Sequence, residues 1–109
     1  MSWLDLVAYF FGGVFLANAI PHAVSGMMGR PFQSPFAKPP GQGLSSSTIN
    51  VLWGFFNLVV GYMLVCHVGR FDLRDAKDVA ALGLGMFLLS IAGARQFGRF
   101  NGGNTPARS

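Results

Sequence analysis

The sequence predicts an all-α integral membrane protein with three transmembrane helices, the first kinked at Pro21. Three observations carry this reading. Formal charge is absent from Leu6–Gly29, Pro39–Gly69 and Val79–Ala94. Charged residues make up only 11% of the chain, against roughly 25% in an ordinary soluble domain. Mean hydropathy is +0.44, and a soluble chain of 109 residues has too little charge here to cover the surface it leaves exposed.

The first uncharged stretch holds 24 residues, and about 20 helical residues at about 1.5 Å each cross a hydrocarbon core of about 30 Å. The first span is expected over about residues 3–29. Pro21 removes a hydrogen bond to the carbonyl one turn back, the origin of the expected kink. Gly26 and Gly29 favour termination before Arg30-Pro31. An amino-terminal secretory signal is not expected: Asp5 is the only charged side chain before Arg30, and the apolar stretch exceeds a typical signal core.

Residues 30–48 form a proline-rich loop. Pro31, Pro35, Pro39 and Pro40 with Gly41 and Gly43 oppose regular structure and favour an extended segment along the membrane surface. Phe32 and Phe36 recur in a near repeat, Pro-Phe-Gln-Ser then Pro-Phe-Ala-Lys, and are suited to dip into the interface or to meet a partner. Ser45, Ser46, Ser47 and Thr48 supply N-caps for a second span over about 49–68.

The connection from Gly69 to Asp78 is charged but neutral in sum, with Asp72 or Asp75 as the expected cap of the third helix. The third span is expected over about 73–97. Its uncharged portion has only 16 residues, so Lys77 and Arg95 must snorkel to the interface. Residues 1–98 form one membrane domain, and 99–109 are expected to be a disordered tail. Trp3, Tyr9, Trp53 and Tyr62 are candidate interface anchors.

The net charge of +4 is scattered at the ends of apolar segments rather than gathered in one stripe, which argues for headgroup contact and against nucleic acid. Lys and Arg number three on the face of the N-terminus and five on the face of the proline-rich loop, so the positive-inside rule predicts N-terminus outside and C-terminus cytoplasmic in a multi-pass cell-membrane protein.

Asn18, His22 and Ser25 share one face of the first helix. Asn50, Gly54, Asn57 and Gly61 form a small and polar stripe on the second, and Ser90 and Arg95 approach the same membrane face from the third. Alternating helix direction therefore predicts an intramembrane polar site of Asn18, His22, Asn57 and Ser90 with Arg95 at its mouth. Glycine and alanine faces suited to close helix packing are expected at Gly13 and Ala17, at Gly54 and Gly61, and at Ala76, Ala80, Gly83, Ser90 and Ala94.

Catalysis is not expected. A single cysteine, Cys66, excludes an intrachain disulfide, and His22 and His67 fall on opposite membrane faces, so neither a three-ligand metal site nor a nucleophile with its base assembles. No motif for a cofactor is present. Two functions fit. The first is a structural or accessory component of a homo- or hetero-oligomeric membrane assembly, with lipid and another membrane protein or a second copy as partners. The alternative is a subunit transporting a small molecule or ion through the cluster around His22 and Asn57.

Overall fold

The computed structural model describes residues 2–105. It contains α1 (Trp3–Met27), β1 (Phe32–Gln33), β2 (Leu44–Ser45), α2 (Ser47–Cys66) and α3 (Ala76–Asn101). All three helices are long and apolar enough to cross a membrane, and the architecture is consistent with a membrane-spanning helical bundle. Much of the outward surface is apolar, including Leu52, Phe55, Phe56, Leu84, Phe87 and Ile91.

Local chemistry sets the ends. α1 continues as one helix through Pro21 to Met27 and closes at Gly29, whose φ of +74° is the left-handed conformation glycine adopts at least cost. Arg30 N then donates to Ser25 O at 2.9 Å, completing the glycine-based helix stop. Ser46 caps α2, its hydroxyl accepting from Ile49 N at 3.2 Å. Asp75 caps α3 by accepting from Lys77 N at 2.9 Å. α3 starts at Ala76 rather than near residue 73 because of this cap. It ends at Asn101, so the first residues of the expected tail, Arg99 to Asn101, are helical. Residues 106–109 of that tail lie outside the described region.

The helices are arranged around α1. α2 runs antiparallel to it and α3 parallel, while α2 and α3 barely touch each other. The α1–α2 seam alternates glycine and amide. Gly26 faces Ser47 and Val51, Gly54 faces Ala23, and Gly61 faces Gly12 and Leu16. At Gly54 a methyl group would lie 2.6 Å from Ala23 N, so the two backbones approach more closely than any side chain allows. On the other side Gly13 meets Leu82 and Met86, and Gly85 meets the backbone of Phe10.

Two expectations about packing are corrected here. Gly83 does not face another helix: a Cβ there would meet nothing within 4 Å among the described residues, and Ala76 and Ala80 are likewise exposed, while Ser90 and Ala94, also exposed, border the crevice between α1 and α3. The contact face of α3 carries Asp78 and Gly85 instead. The proline-rich loop is also more ordered than its composition predicts. It folds into a short antiparallel pair, Phe32 opposite Ser45 and Gln33 opposite Leu44, and buries Gln33 and Ser34. Ser34 and Ser45 share a hydroxyl contact at 2.5 Å, and Ser34 Oγ accepts from Phe36 N at 3.1 Å. Paired strands and serine bonds satisfy backbone groups that prolines and burial would otherwise leave without partners.

Candidate functional site: a buried polar network beneath the hairpin

The hairpin closes one end of the helices and covers a buried polar network of His22, Asn50, Asn57 and Gln33. Asn50, the fourth residue of α2, is its organiser. Its amide nitrogen lies 3.1 Å from each of three carbonyl oxygens: Phe32 on β1, Ser45 on β2 and Ser46 at the helix cap. Three acceptors around one nitrogen fix the amide orientation, because only that end of the side chain carries donors. Asn50 Oδ1 therefore points at His22 Nδ1, 2.8 Å away.

This determines the histidine tautomer. Asn50 Oδ1 can only accept, so His22 Nδ1 donates and carries the proton. In the neutral ring Nε2 is then a lone-pair acceptor, and it makes no hydrogen bond among the described residues. Three aromatic rings surround the imidazole edge to face: Phe32 at 5.5 Å, Phe97 at 5.9 Å and Trp53 at 6.3 Å between centroids. The Trp53 indole N–H is buried and also has no partner. An acceptor and a donor, on adjacent rings, are thus both available.

One turn further into the bundle Asn18 Nδ2 donates to Asn57 Oδ1 at 3.1 Å, and Asn57 Nδ2 donates to Trp53 O at 2.7 Å. Asn57 lies ten residues into α2, about 15 Å from its start and near the middle of that helix. At the other end of the network, Asn101 of α3 donates to Gln33 Oε1 at 3.2 Å and to Phe97 O at 2.8 Å, tying the end of α3 to the hairpin.

Two crevices flank the network. One, of about 320 Å³, lies between α1 and α3 and is lined by Ala17, Pro21, Phe32, Leu89, Gly93 and Phe97 among others. The other, of about 430 Å³, opens at the hairpin end among Ser25, Arg30, Phe32, Phe97, Gly98 and Asn101. Phe32 and Phe97, 4.8 Å apart between centroids, belong to both, and each also packs on His22.

Of the residues expected at the site, the structure brings together Asn18 with Asn57 and places His22 one turn away. Ser90 lines the crevice between α1 and α3 but makes no hydrogen bond to the network, its hydroxyl donating to Met86 O of its own helix at 2.6 Å. Arg95 is exposed as well, and the basic side chain at the mouth is Arg30. Both departures follow from α3 meeting α1 through its other face. Asn50 and Gln33 are the members whose role sequence reasoning missed. Asn50 stood in the recognised polar stripe, three residues inside a serine-rich cap, a position from which an amide reaches the preceding loop; Gln33 carried no signal.

Tyr9, expected as an interface anchor, is instead buried, with its hydroxyl donating to Val68 O at 2.9 Å. Trp3 and Tyr62 remain exposed. Among the described residues no three His, Cys, Asp or Glu side chains converge on a metal position, and Cys66 is exposed.

Fold and site together define a compact bundle of three long, apolar helices with a buried polar network under a hairpin cap, consistent with a small membrane-associated protein. No family model, curated protein or solved structure matches this chain.

Proposed function

We propose that this protein is a small multi-pass membrane protein, N-terminus outside and C-terminus cytoplasmic, that binds and passes a small polar molecule or ion at the network around His22 and Asn57. The observation that carries the proposal is the pair of free polar atoms within the aromatic enclosure. Among the described residues His22 Nε2, the acceptor of this tautomer, meets no donor, and the buried Trp53 indole N–H meets no acceptor, with ring centroids 6.3 Å apart. Asparagines alone suffice to hold helices together; an imidazole held in one tautomer is suited to taking up a proton or a ligand donor.

Phe32 and Phe97 act as the barrier between His22 and the two crevices. The missing amide hydrogen at Pro21 leaves the Ala17 carbonyl without its helical donor, providing a joint beside His22 at which α1 can bend. Three helices, two of which barely touch, have too little surface to enclose a broad pathway, so the transporting unit contains more than one subunit.

Proteoliposomes loaded with a pH-sensitive dye and given an imposed proton gradient, with and without a panel of small polar solutes outside, test this reading. Flux above empty vesicles that His22→Gln abolishes and Phe97→Ala accelerates is the expected result. Flux equal to that of empty vesicles, or unaffected by His22→Gln, overturns it.

A second reading, an accessory component of a membrane assembly, is favoured by the exposed stripe of Ala76, Ala80, Gly83, Ser90 and Ala94 on α3. Native mass measurement in mild detergent checks it: a strictly monomeric functional species excludes assembly.

A further inference from the structure

The end of the molecule opposite the hairpin holds a second polar group that the His22 network does not use. The connection between α2 and α3 folds back over the start of α1. Phe71 packs edge-on against Tyr9 at 5.1 Å between centroids, and Val68 O accepts the Tyr9 hydroxyl. Gly69, at φ +61°, sits against both the Asp5 carboxylate and the Tyr9 hydroxyl, which are therefore near neighbours: a Cβ there would lie 2.5 Å from Asp5 Oδ2 and 2.8 Å from Tyr9 Oη.

Asp78 enters from the first turn of α3. Sequence reasoning places it at the end of a charged connection that is neutral in sum; the structure buries it fully. Its Oδ2 accepts from Asp72 N at 3.0 Å, while Oδ1 is buried with no hydrogen-bond partner among the described residues. Asp72, which holds Asp78, directly follows the Phe71 that packs on Tyr9, so the buried carboxyl belongs to the same corner as Tyr9 and Asp5. A carboxyl oxygen withdrawn from water without donor or cation is costly to keep in a folded chain, and such groups are ordinarily paired or coordinated.

We propose that Asp5, Tyr9, Val68 and Asp78 form a binding site for a hard divalent cation of calcium type. The donors are all oxygen: two carboxylates, a phenol and a backbone carbonyl, with no sulfur or imidazole to favour a transition metal. Two carboxylates match a double positive charge. Mixed side-chain and carbonyl oxygens on a folded-back connection suit the irregular six- to eight-fold coordination of calcium, completed by water, better than the rigid octahedron of magnesium. Asp5 is only half-buried and provides the route of entry. Occupancy would tie α1, the α2–α3 connection and α3 together at one end. This compensates for the scarcity of direct contact between α2 and α3.

The test uses the full-length protein in detergent, stripped with EDTA and titrated separately with calcium, magnesium and sodium while thermal unfolding is followed. Calcium is expected to raise the midpoint saturably, with at least tenfold weaker apparent affinity in Asp5→Asn and Asp78→Asn and an unchanged response in His22→Gln. If Asp78→Asn fails to fold, the half-buried Asp5→Asn decides alone. No saturable calcium response, a response to sodium only, or one that persists in both carboxamide variants overturns the proposal. None of these results bears on flux through the His22 network.

Discussion

Adding one methyl group at Gly54 tests the α1–α2 seam and the polar site together. The new Cβ would lie 2.6 Å from Ala23 N and 2.9 Å from Ala23 Cα and Cβ, all parts of α1 that cannot swing aside. Restoring ordinary contact near 3.4 Å requires the helices to separate by about 0.8 Å, which forfeits a quarter to a half of the dispersion energy between the atoms in register with Gly54. Overpacking of this kind costs about 1–3 kcal/mol. Gly54 also lies between the two polar pairs. The same displacement would stretch His22–Asn50 from 2.8 Å and Asn18–Asn57 from 3.1 Å beyond hydrogen-bond range. In membranes such bonds contribute about 0.6 kcal/mol each.

Gly54→Ala should therefore lose about 1–3 kcal/mol after the roughly 1 kcal/mol that alanine gains over glycine within a helix is subtracted. Gly83→Ala is the matched control, since nothing lies within 4 Å of its Cβ, and it should be neutral or stabilising. Reversible unfolding of both variants in mixed micelles, followed by circular dichroism, gives the comparison. Equal stability of the two would refute the close-approach argument.

Three further outcomes are expected. Asn50→Leu removes the donors shared by the Phe32, Ser45 and Ser46 carbonyls and the acceptor of His22. It should cost about 2–4 kcal/mol and speed proteolysis of residues 30–46 at least tenfold; unchanged cleavage would mean that other contacts dock the hairpin. Ser46→Ala and Asp75→Ala each delete a helix cap and should lower stability by about 1 kcal/mol in the same unfolding assay, additively because the two caps belong to different helices. Tyr9→Phe loses the bond to Val68 O, so amide exchange should accelerate in residues 67–75 while the hairpin keeps its protection.

The helices were legible in the sequence because span length and cap chemistry are local. Ser46 and Asp75 cap as their side chains allow, and Gly29 ends α1 as its freedom at positive φ allows. The α1–α2 seam was legible for a related reason: Gly54, Asn57 and Gly61 lie on one face, and α2 offers no competing small face. α3 differs. Gly83 and Gly85 stand about 200° apart around the helix, so small residues occur on both sides and periodicity cannot choose between them. The contact with Phe10 chose Gly85, and with it left Ser90 on the rim of the α1–α3 crevice and Arg95 on the outside.

Charge and apolarity along the chain thus determined, unaided, that three helices long and apolar enough to span a bilayer would form and that their polar residues would gather toward the hairpin end. Both properties depend on residues within a few turns of one another. Which face of α3 meets α1, that Asn50 fixes the tautomer of His22 through carbonyls up to 18 residues away, and that Asp78 is withdrawn from water were decided only by tertiary structure. The physical reason is that burial and hydrogen-bond direction belong to the neighbour as much as to the residue, and the neighbour is chosen when helices pack.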